Sequence, residues 1–324
     1  MFKDFFQYTK FCPFLLEIKK FLVTLPIGVR HVSGHTKKDS SATLLSEANN
    51  RRYCSRSANE KQAFLCPHLT AALQMNIRMT MNTITPLLTA LREQKEMKMK
   101  GNIYHKTQID LTYNSNHIEG SRLTHDQTRY IFETNTIGVT ADESINVNDI
   151  VETVNHFRCI DIIIDRAQEP LSEELIKMLH GILKTGTSDS RKDWFAVGDY
   201  KRLPIEVGGE QTCEPELVHD SMQRLIDGYN AKGQHTLEDI LDFHVRFEKI
   251  HPFQDGNGRV GRLVMFKECL ASGIVPFIIT DELKMYYYRG LREWGHIDGY
   301  LTDTCLTAQD QYKAMLDYFR ISYE

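Results

Sequence analysis

One stretch decides how this chain folds: His251-Pro252-Phe253-Gln254-Asp255-Gly256-Asn257-Gly258-Arg259-Val260-Gly261-Arg262. Apolar residues recur at helical spacing from Thr236 to Ile250, which predicts a helix immediately before this stretch. Thr236 begins that helix in the manner of a capping box, with Asp239 in the third helical position. Pro252 disfavours helical geometry at the residue before it, so we expect the helix to end at His251.

A second helix is predicted after the loop, because apolar residues again recur at helical spacing there. It should begin near Asn257 or Gly258 and close at Gly273. Gly256 and Gly258 allow the backbone to take positive φ and to approach a ligand closely. Successive N–H groups in such a turn, with a helix N-terminus behind them, bind anions. The loop between the two helices is therefore predicted to hold phosphate groups.

The polar side chains of the loop suit phosphate chemistry. His251 can accept a proton near neutral pH, because an unperturbed histidine has a pKa of about 6.5. Asp255 can supply an oxygen ligand to Mg²⁺. Arg259 and Arg262 are three residues apart, so they share a helix face, and guanidinium groups fit phosphate oxygens. Each feature alone has an ordinary structural explanation, but their combination at this spacing favours a nucleotide site.

The stretch resembles the motif His-Pro-Phe-x-Asp/Glu-Gly-Asn-Gly-Arg-x-x-Arg of Fic proteins at every defined position. The resemblance covers roughly residues 82–320 and implies an all-α Fic fold, a helical bundle with a small β-hairpin flap. It also implies transfer of AMP from ATP to a Ser, Thr or Tyr hydroxyl of a target protein or of the chain itself. The implied roles are a base at His251, a Mg²⁺ ligand at Asp255, a core anchor at Phe253, an anion hole at Gly256, Asn257 and Gly258, and phosphate clamps at Arg259 and Arg262, with Arg262 nearest the γ-phosphate.

A second motif, Ser115-Asn116-His117-Ile118-Glu119-Gly120, resembles the inhibitory pattern Ser/Thr-x-x-x-Glu-Gly/Asn of Fic proteins that carry an N-terminal inhibitory helix. The resemblance implies a salt bridge from Glu119 to Arg262, which would occupy the guanidinium meant for the γ-phosphate. Ser115, Glu119 and Gly120 are the residues that define this motif. The alternative is that Glu119 is an ordinary exposed acid before a glycine that ends a helix.

The segment from Gly198 to Gly209 alternates apolar and polar residues between glycines, which predicts a short β-hairpin. It resembles the Fic flap, which pairs with an extended target segment by strand addition. The resemblance assigns target docking to Ile205, Glu206 and Val207. Pro204 removes one backbone donor, so the register of the hairpin stays open, and a plain surface hairpin is the alternative.

Composition and charge bound the domain organisation. The 324 residues carry a formal net charge of −4, which gives no general signal for nucleic-acid binding. Residues 1–80 hold 12 Lys and Arg against 5 Asp and Glu, and much of this part is polar and without periodicity. We predict that residues 1–80 are a disordered or non-native extension, with translation starting at Met75, Met79 or Met81. Residues 82–145 are then N-terminal helices that include the inhibitory helix, and residues 146–324 form the Fic domain.

The chain has seven cysteines, an odd number, and no two of them form a CxxC pair. This pattern is typical of a protein in the reducing cytoplasm. No apolar run reaches the roughly 18–20 residues of a membrane span. The expected partners are ATP and a protein substrate, with neither nucleic acid nor membrane, and a homo-oligomer is left open. The histidines interpreted as structural are His117, His156, His180 and His244. Further helices are predicted near Ile84–Leu91 and over Val147–Arg166, Ser172–Gly186, Leu217–Tyr229, Glu282–Trp294 and Thr302–Phe319.

Two other functions compete with adenylyl transfer. One is the removal of AMP by a phosphodiesterase reaction, with Glu119 positioning a water molecule. The other is a non-catalytic module that senses nucleotide and docks peptides. The intact His251 and Asp255 argue against the non-catalytic alternative, because a binding module needs neither a base nor a metal ligand.

Overall fold

The structure is a computed structural model that describes residues 85–139 and 144–323. The predictions for residues 1–80, including the proposed translation start, lie outside the described residues. The boundaries between the three predicted segments therefore stay predictions.

The described residues form ten α-helices and one two-stranded antiparallel sheet. This confirms the predicted all-α fold with a small β-hairpin. The helices are α1 Pro86–Met97, α2 Ile103–Ile118, α3 His125–Thr134, α4 Val147–Asp165, α5 Glu173–Lys184, α6 Pro215–Asn230, α7 Leu237–Ile250, α8 Asn257–Ala271, α9 Lys284–Glu293 and α10 Gly299–Phe319. The strands are β1 Glu206–Val207 and β2 Glu210–Gln211, and short 3₁₀ turns cover Asp189–Arg191 and Asp281–Leu283.

Helices α7 and α8 pack against each other on either side of the loop, as the sequence predicts. The capping box of Thr236 and Asp239 is present at the start of α7. Helix α8 begins at Asn257, and its residues from Arg259 to Leu270 are all buried. A helix that is buried on every side lies inside the core, and α8 also packs against α2, α4 and α5. The loop is therefore fixed at one end of the most buried helix of the fold.

The remaining predicted helices are present with shifted ends. Ser172 caps α5 by accepting a hydrogen bond from the Leu175 N–H at 3.1 Å, as its position suggests. Helix α6 begins two residues early at Pro215, because proline is tolerated in the first turn of a helix. Helix α3 is absent from the prediction, although Thr124 and Gln127 form a full capping box before it.

The predicted hairpin is present, and it lies at the end of the predicted segment. Its two-residue turn is Gly208-Gly209, and both glycines have positive φ, 62° and 86°. A type I′ turn needs positive φ at both central residues, which places the Gly-Gly pair there. Glu206 pairs with Gln211 and Val207 with Glu210. The predicted segment, Gly198 to Gly209, therefore contains the first strand and the turn, and the second strand follows it.

Among the described residues, no helix combines the length and the apolar character needed to cross a membrane.

Candidate active site

The loop is held in one conformation by the side chains of Phe253 and Asn257. Phe253 is fully buried and stacks on His180, with ring centroids 4.0 Å apart and planes 6° apart. The Phe253 N–H donates to Asn257 Oδ1, and Asn257 Nδ2 donates back to the Phe253 carbonyl, both at 2.8 Å. The Asn257 side chain is thus committed to the loop itself, so only the backbone of this residue is free to contribute to an anion hole.

His180 is a neutral ring that hydrogen-bonds to the backbone of the loop. Its Nδ1 accepts a hydrogen bond from the Gly198 N–H at 3.0 Å, so the other nitrogen carries the proton. That nitrogen, Nε2, donates to the Asp255 carbonyl at 3.2 Å. Burial, followed by the nearby Lys184 ammonium, lowers the pKa of His180 to about 3, so it stays uncharged at neutral pH. The prediction that His180 is structural agrees with this geometry.

His251 ends α7 in the left-handed region, with φ of 52°, and its N–H donates to the Phe247 carbonyl at 2.9 Å. Its ring hydrogen-bonds to the backbone carbonyl of Glu248, which leaves the second ring nitrogen as an acceptor. Burial lowers the pKa of His251 below its usual value. The imidazole is therefore neutral at pH 7 and is able to accept a proton.

The turn before α8 provides a surface of backbone donors. Gly256 has a φ of 85° and precedes the first residue of the helix. A Cβ atom on Gly258 would overlap the Glu119 carboxylate oxygen Oε1 and would lie 2.9 Å from Arg262 NH1. The Glu119 carboxylate therefore rests directly against the backbone of Gly258. The N-terminus of a helix favours an anionic group at this place.

The predicted inhibitory residues meet Arg262. The guanidinium is 4 % exposed, and its NH2 donates to Glu119 Oε1 at 2.7 Å. Arg262 Nε also donates to Ser115 Oγ at 3.1 Å, and NH2 donates to the Ser115 carbonyl at 2.9 Å. Ser115 and Glu119 are four residues apart at the end of α2, so one helical turn presents both to the guanidinium. Gly120 follows with a φ of 96° and ends the helix.

The Glu119–Arg262 contact is an ion pair at neutral pH. Burial alone would raise the pKa of Glu119, but the Arg262 guanidinium outweighs burial and lowers it. The carboxylate in turn raises the pKa of Arg262, although burial alone would lower it. Arg262 is therefore charged and occupied by protein groups.

Asp255 and Arg259 belong to a cluster of charges that the sequence did not reveal. Asp255 Oδ2 accepts hydrogen bonds from Lys184 Nζ at 2.6 Å and from Arg259 NH2 at 3.2 Å. Glu152 accepts hydrogen bonds from the same two cations. Burial alone would raise the pKa of Asp255, but Arg259 and Lys184 lower it to about 2. Asp255 is thus ionised throughout the physiological range.

The chemistry of Asp255 fits a Mg²⁺ ion that arrives with a nucleotide. Its side chain is 46 % exposed, and the two cations contact the same oxygen, Oδ2. The described residues contain no group of three or more His, Cys, Asp or Glu placed to hold a metal. Mg²⁺ usually needs only one or two protein carboxylates, since substrate phosphates and water complete its coordination.

Helix α7 approaches α8 closely beneath the site. A Cβ atom on Gly261 would lie 2.7 Å from Glu248 Oε1 and 2.8 Å from His244 Cε1. The His244 Nε2 and Tyr287 hydroxyl are 2.6 Å apart in the interior. Burial raises the pKa of Glu248 to about 8. These contacts support the structural interpretation of His244 and explain why glycine stands at position 261.

The base of the flap is joined to the loop. The Lys201 N–H donates to the Pro252 carbonyl at 2.8 Å, and the Leu203 N–H donates to Gln254 Oε1 at 3.3 Å. The predicted docking residues lie just beyond: Ile205 is half-buried, and both Glu206 and Val207 are exposed. The segment that leads into the hairpin therefore lies against the loop next to His251, and the strands beyond it are open to solvent.

The fold and the loop define a helical domain in which a helix N-terminus lies beside a neutral histidine. Residues 170–269 match the sequence pattern of the Fic/DOC family, so this chain carries a Fic domain. It is 28% identical over 220 residues to the protein adenylyltransferase Fic of Drosophila willistoni, covering 66% of this chain and 41% of the relative. The corresponding protein of Nematostella vectensis is 26% identical over 190 residues, covering 57% of this chain and 43% of the relative. The chain thus spans less than half the length of these curated relatives.

Solved structures support the same fold. A Fic-domain-containing signaling protein from Bacteroides thetaiotaomicron superposes with a TM-score of 0.53 and 26% identity, covering 71% of this chain and 90% of that one. Fic-1 of C. elegans superposes with a TM-score of 0.55 over 78% of this chain and 79% of that one. At 17% identity, the second likeness concerns the fold alone.

Proposed function

We propose that this protein is a protein adenylyltransferase that moves AMP from ATP to a Ser, Thr or Tyr hydroxyl, and that Glu119 holds it inactive. The strongest support is that one loop brings together a neutral base, a helix N-terminus and two guanidinium groups. The curated relatives carry the name protein adenylyltransferase, which agrees with this chemistry.

In the proposed reaction, His251 takes the proton from the target hydroxyl. The hydroxyl oxygen then forms a bond to the α-phosphorus of ATP. The bond between that phosphorus and the oxygen bridging to the β-phosphate breaks, and pyrophosphate leaves. Negative charge spreads over phosphate oxygens during this step, and fixed donors stabilise it. The donors here are the backbone N–H groups at the start of α8 and the guanidinium of Arg259.

A bound Mg²⁺ ion would be held by Asp255, and it would neutralise charge on the phosphates of ATP. Asp255 suits this role because its carboxylate is ionised and half-exposed while Lys184 and Arg259 fix one of its oxygens. The two cations keep the carboxylate oriented before the nucleotide arrives.

Inhibition follows from the place that Glu119 takes. Its carboxylate lies against Gly258 and pairs with Arg262 at 2.7 Å, where a phosphate oxygen of ATP would otherwise be held. A nucleotide must therefore displace Glu119 or bind in a pose that lacks the Arg262 contact. The second pose leaves the α-phosphorus poorly placed for attack, because in-line displacement depends on alignment.

The target is proposed to dock on the flap by strand addition. The strand Glu206–Val207 is exposed, and the segment before it is joined to the loop through Lys201 and Leu203, so backbone pairing with this strand would bring a target hydroxyl toward the loop. Pairing of this kind needs an extended segment in the target and selects its side chains only weakly.

Mass spectrometry tests the proposal. Purified Glu119→Gly protein is incubated with ATP, Mg²⁺ and a cell extract, and peptides are searched for AMP on Ser, Thr or Tyr. We expect AMP-bearing peptides, including peptides of the chain itself. These peptides should be absent when the same chain also carries His251→Ala. Equal modification with and without His251 would refute the proposed base.

Removal of AMP is a second candidate reaction, because the Glu119 carboxylate lies against the backbone of Gly258, where the phosphates are proposed to bind. A carboxylate there is able to orient a water molecule toward a phosphorus atom. Release of AMP from a pre-modified target by the wild-type chain, and not by Glu119→Gly, would favour this direction of reaction.

A further inference from the structure

Four charged side chains close into a ring beneath the loop. Arg259 contacts Glu152 and Asp255, and Lys184 contacts the same two carboxylates. We call these four residues the charge ring. Positive and negative groups alternate around it, so every member has two opposite neighbours. Asp189 lies farther away, 3.7 Å from the Lys184 ammonium.

The charge ring is deeply placed. Lys184 is 1 % exposed and Arg259 is 5 % exposed. Taking such ions from water is costly, and an ion pair is weak evidence for stability because apolar packing often serves as well. Burial of the two cations at this position therefore points to a purpose other than holding the fold together.

The ring ties the loop to three helices. Glu152 comes from α4, Lys184 from α5 and Arg259 from α8, while Asp255 lies in the loop. Two ring members, Arg259 and Asp255, are assigned above to the phosphates and to Mg²⁺. They contact each other, and each is also held by one further member: Glu152 contacts Arg259, and Lys184 contacts Asp255. A side chain held from two directions loses its rotational freedom before the ligand arrives, which lowers the cost of binding.

We propose that Lys184 and Glu152 are positioning residues for the nucleotide and its Mg²⁺, an inference that rests on the proposed function. Lys184 engages Asp255 Oδ2 and thereby fixes the direction of the carboxylate toward the metal. Glu152 engages Arg259 NH1 and thereby aims the guanidinium at the phosphates. Neither Lys184 nor Glu152 touches the substrate itself.

Positioning and simple electrostatics predict opposite effects of Lys184→Met. Removing a positive charge beside Asp255 makes the site more negative, so by charge alone Mg²⁺ would bind more tightly. If Lys184 orients the carboxylate, its loss instead weakens the metal. Groups that orient a metal ligand typically contribute 10–100-fold in metal affinity. The sign of the change therefore separates the two explanations.

Lys267→Met is a matched control. Lys267 is also 1 % exposed, lies on α8, and pairs with the Glu268 carboxylate at 2.7 Å. Its other partner is the Glu169 carbonyl, so it makes no contact with the charge ring. Both substitutions remove a buried ammonium of equal size that contacts a carboxylate, and in both cases that carboxylate keeps another hydrogen-bond donor, so their general effects on stability should be similar.

The experiment measures the dissociation constant of a non-hydrolysable ATP analogue by calorimetry, with and without Mg²⁺. All variants carry Glu119→Gly so that Arg262 is free. In Lys184→Met we expect the tightening caused by Mg²⁺ to fall about tenfold. Lys267→Met should keep the full tightening, and Lys184→Arg should recover part of it. If Lys184→Met fails to fold, Glu152→Gln is used in its place. Glu152→Gln should bind the analogue several-fold more weakly than its parent, even without Mg²⁺.

Three results overturn the inference. The first two are an unchanged Mg²⁺ dependence in folded Lys184→Met and a Mg²⁺ dependence that becomes stronger in that variant. A fall of the same size in Lys267→Met would also overturn it, because the effect would then be one of general stability. Failure of the Glu119→Gly parent to bind the analogue at all would instead refute the proposed function, and the inference with it.

Discussion

Releasing Arg262 from Glu119 should switch the protein on. Glu119→Gly removes the carboxylate that contacts the guanidinium at 2.7 Å and that lies against Gly258. Arg262 keeps its two hydrogen bonds to Ser115, at 3.1 and 2.9 Å, so it should stay in place. The substitution therefore opens the site without dismantling it.

The size of the effect follows from the contact that is lost. A hydrogen bond between charged groups is worth about 1.5–3 kcal/mol. ATP must break this contact to reach Arg262 in the wild-type chain but not in the variant. Since about 1.4 kcal/mol corresponds to a factor of ten, adenylyl transfer should rise about 10- to 100-fold.

The assay follows incorporation of label from ATP into protein at saturating Mg²⁺, with wild type, Glu119→Gly and Glu119→Gln side by side. Glutamine keeps the size of the side chain but removes its charge, so its rate should lie between the other two. Equal incorporation by wild type and Glu119→Gly would show that the carboxylate does not restrain the reaction. A rise in Glu119→Gly with no rise in Glu119→Gln would assign inhibition to bulk rather than charge.

Three further outcomes are expected. His251→Ala should lower transfer about 10²–10⁴-fold. With His251 intact, the midpoint of the acidic fall in the pH–rate profile should lie below pH 6.5, because burial lowers the pKa of the base; a midpoint above that pH would contradict this. Phe253→Ala should lower the free energy of unfolding in urea by about 3–5 kcal/mol, since the ring is fully buried; a loss under half that size would refute its role as anchor. Gly258→Ala, placed in the Glu119→Gly background so that its methyl group does not meet the carboxylate, should bind the ATP analogue more weakly than that parent in calorimetry, because the methyl group takes the space that Glu119 Oε1 fills in the wild-type chain; unchanged affinity would show that phosphates do not approach there.

The sequence predicts the parts of the site that are local. Thr236, Ser172 and Pro252 mark helix ends through caps and backbone restriction, and the structure places those ends within a residue or two. The loop is continuous in sequence, so its glycines and arginines could be interpreted together. The pairing of Glu119 with Arg262 spans 143 residues, and it was predicted only because the inhibitory motif resembles a known one.

The rest of the site depends on packing between distant helices. Lys184 and Glu152 lie 71 and 107 residues from the loop residues they contact, and neither belongs to a motif. Their buried positions follow from the way α4 and α5 pack on α8, which no local pattern encodes. The turn of the hairpin could have been predicted from the sequence, because Gly208-Gly209 is a strong signal for a two-residue hairpin turn.

Adenylyl transfer is separated from phosphoryl transfer by comparing ATP labelled at the α-phosphate with ATP labelled at the γ-phosphate in a single turnover of Glu119→Gly. We predict that protein retains label only from the α position, and that His251→Ala removes that label. Label retained from the γ position would mean that the loop transfers a phosphoryl group, which would contradict adenylyl transfer.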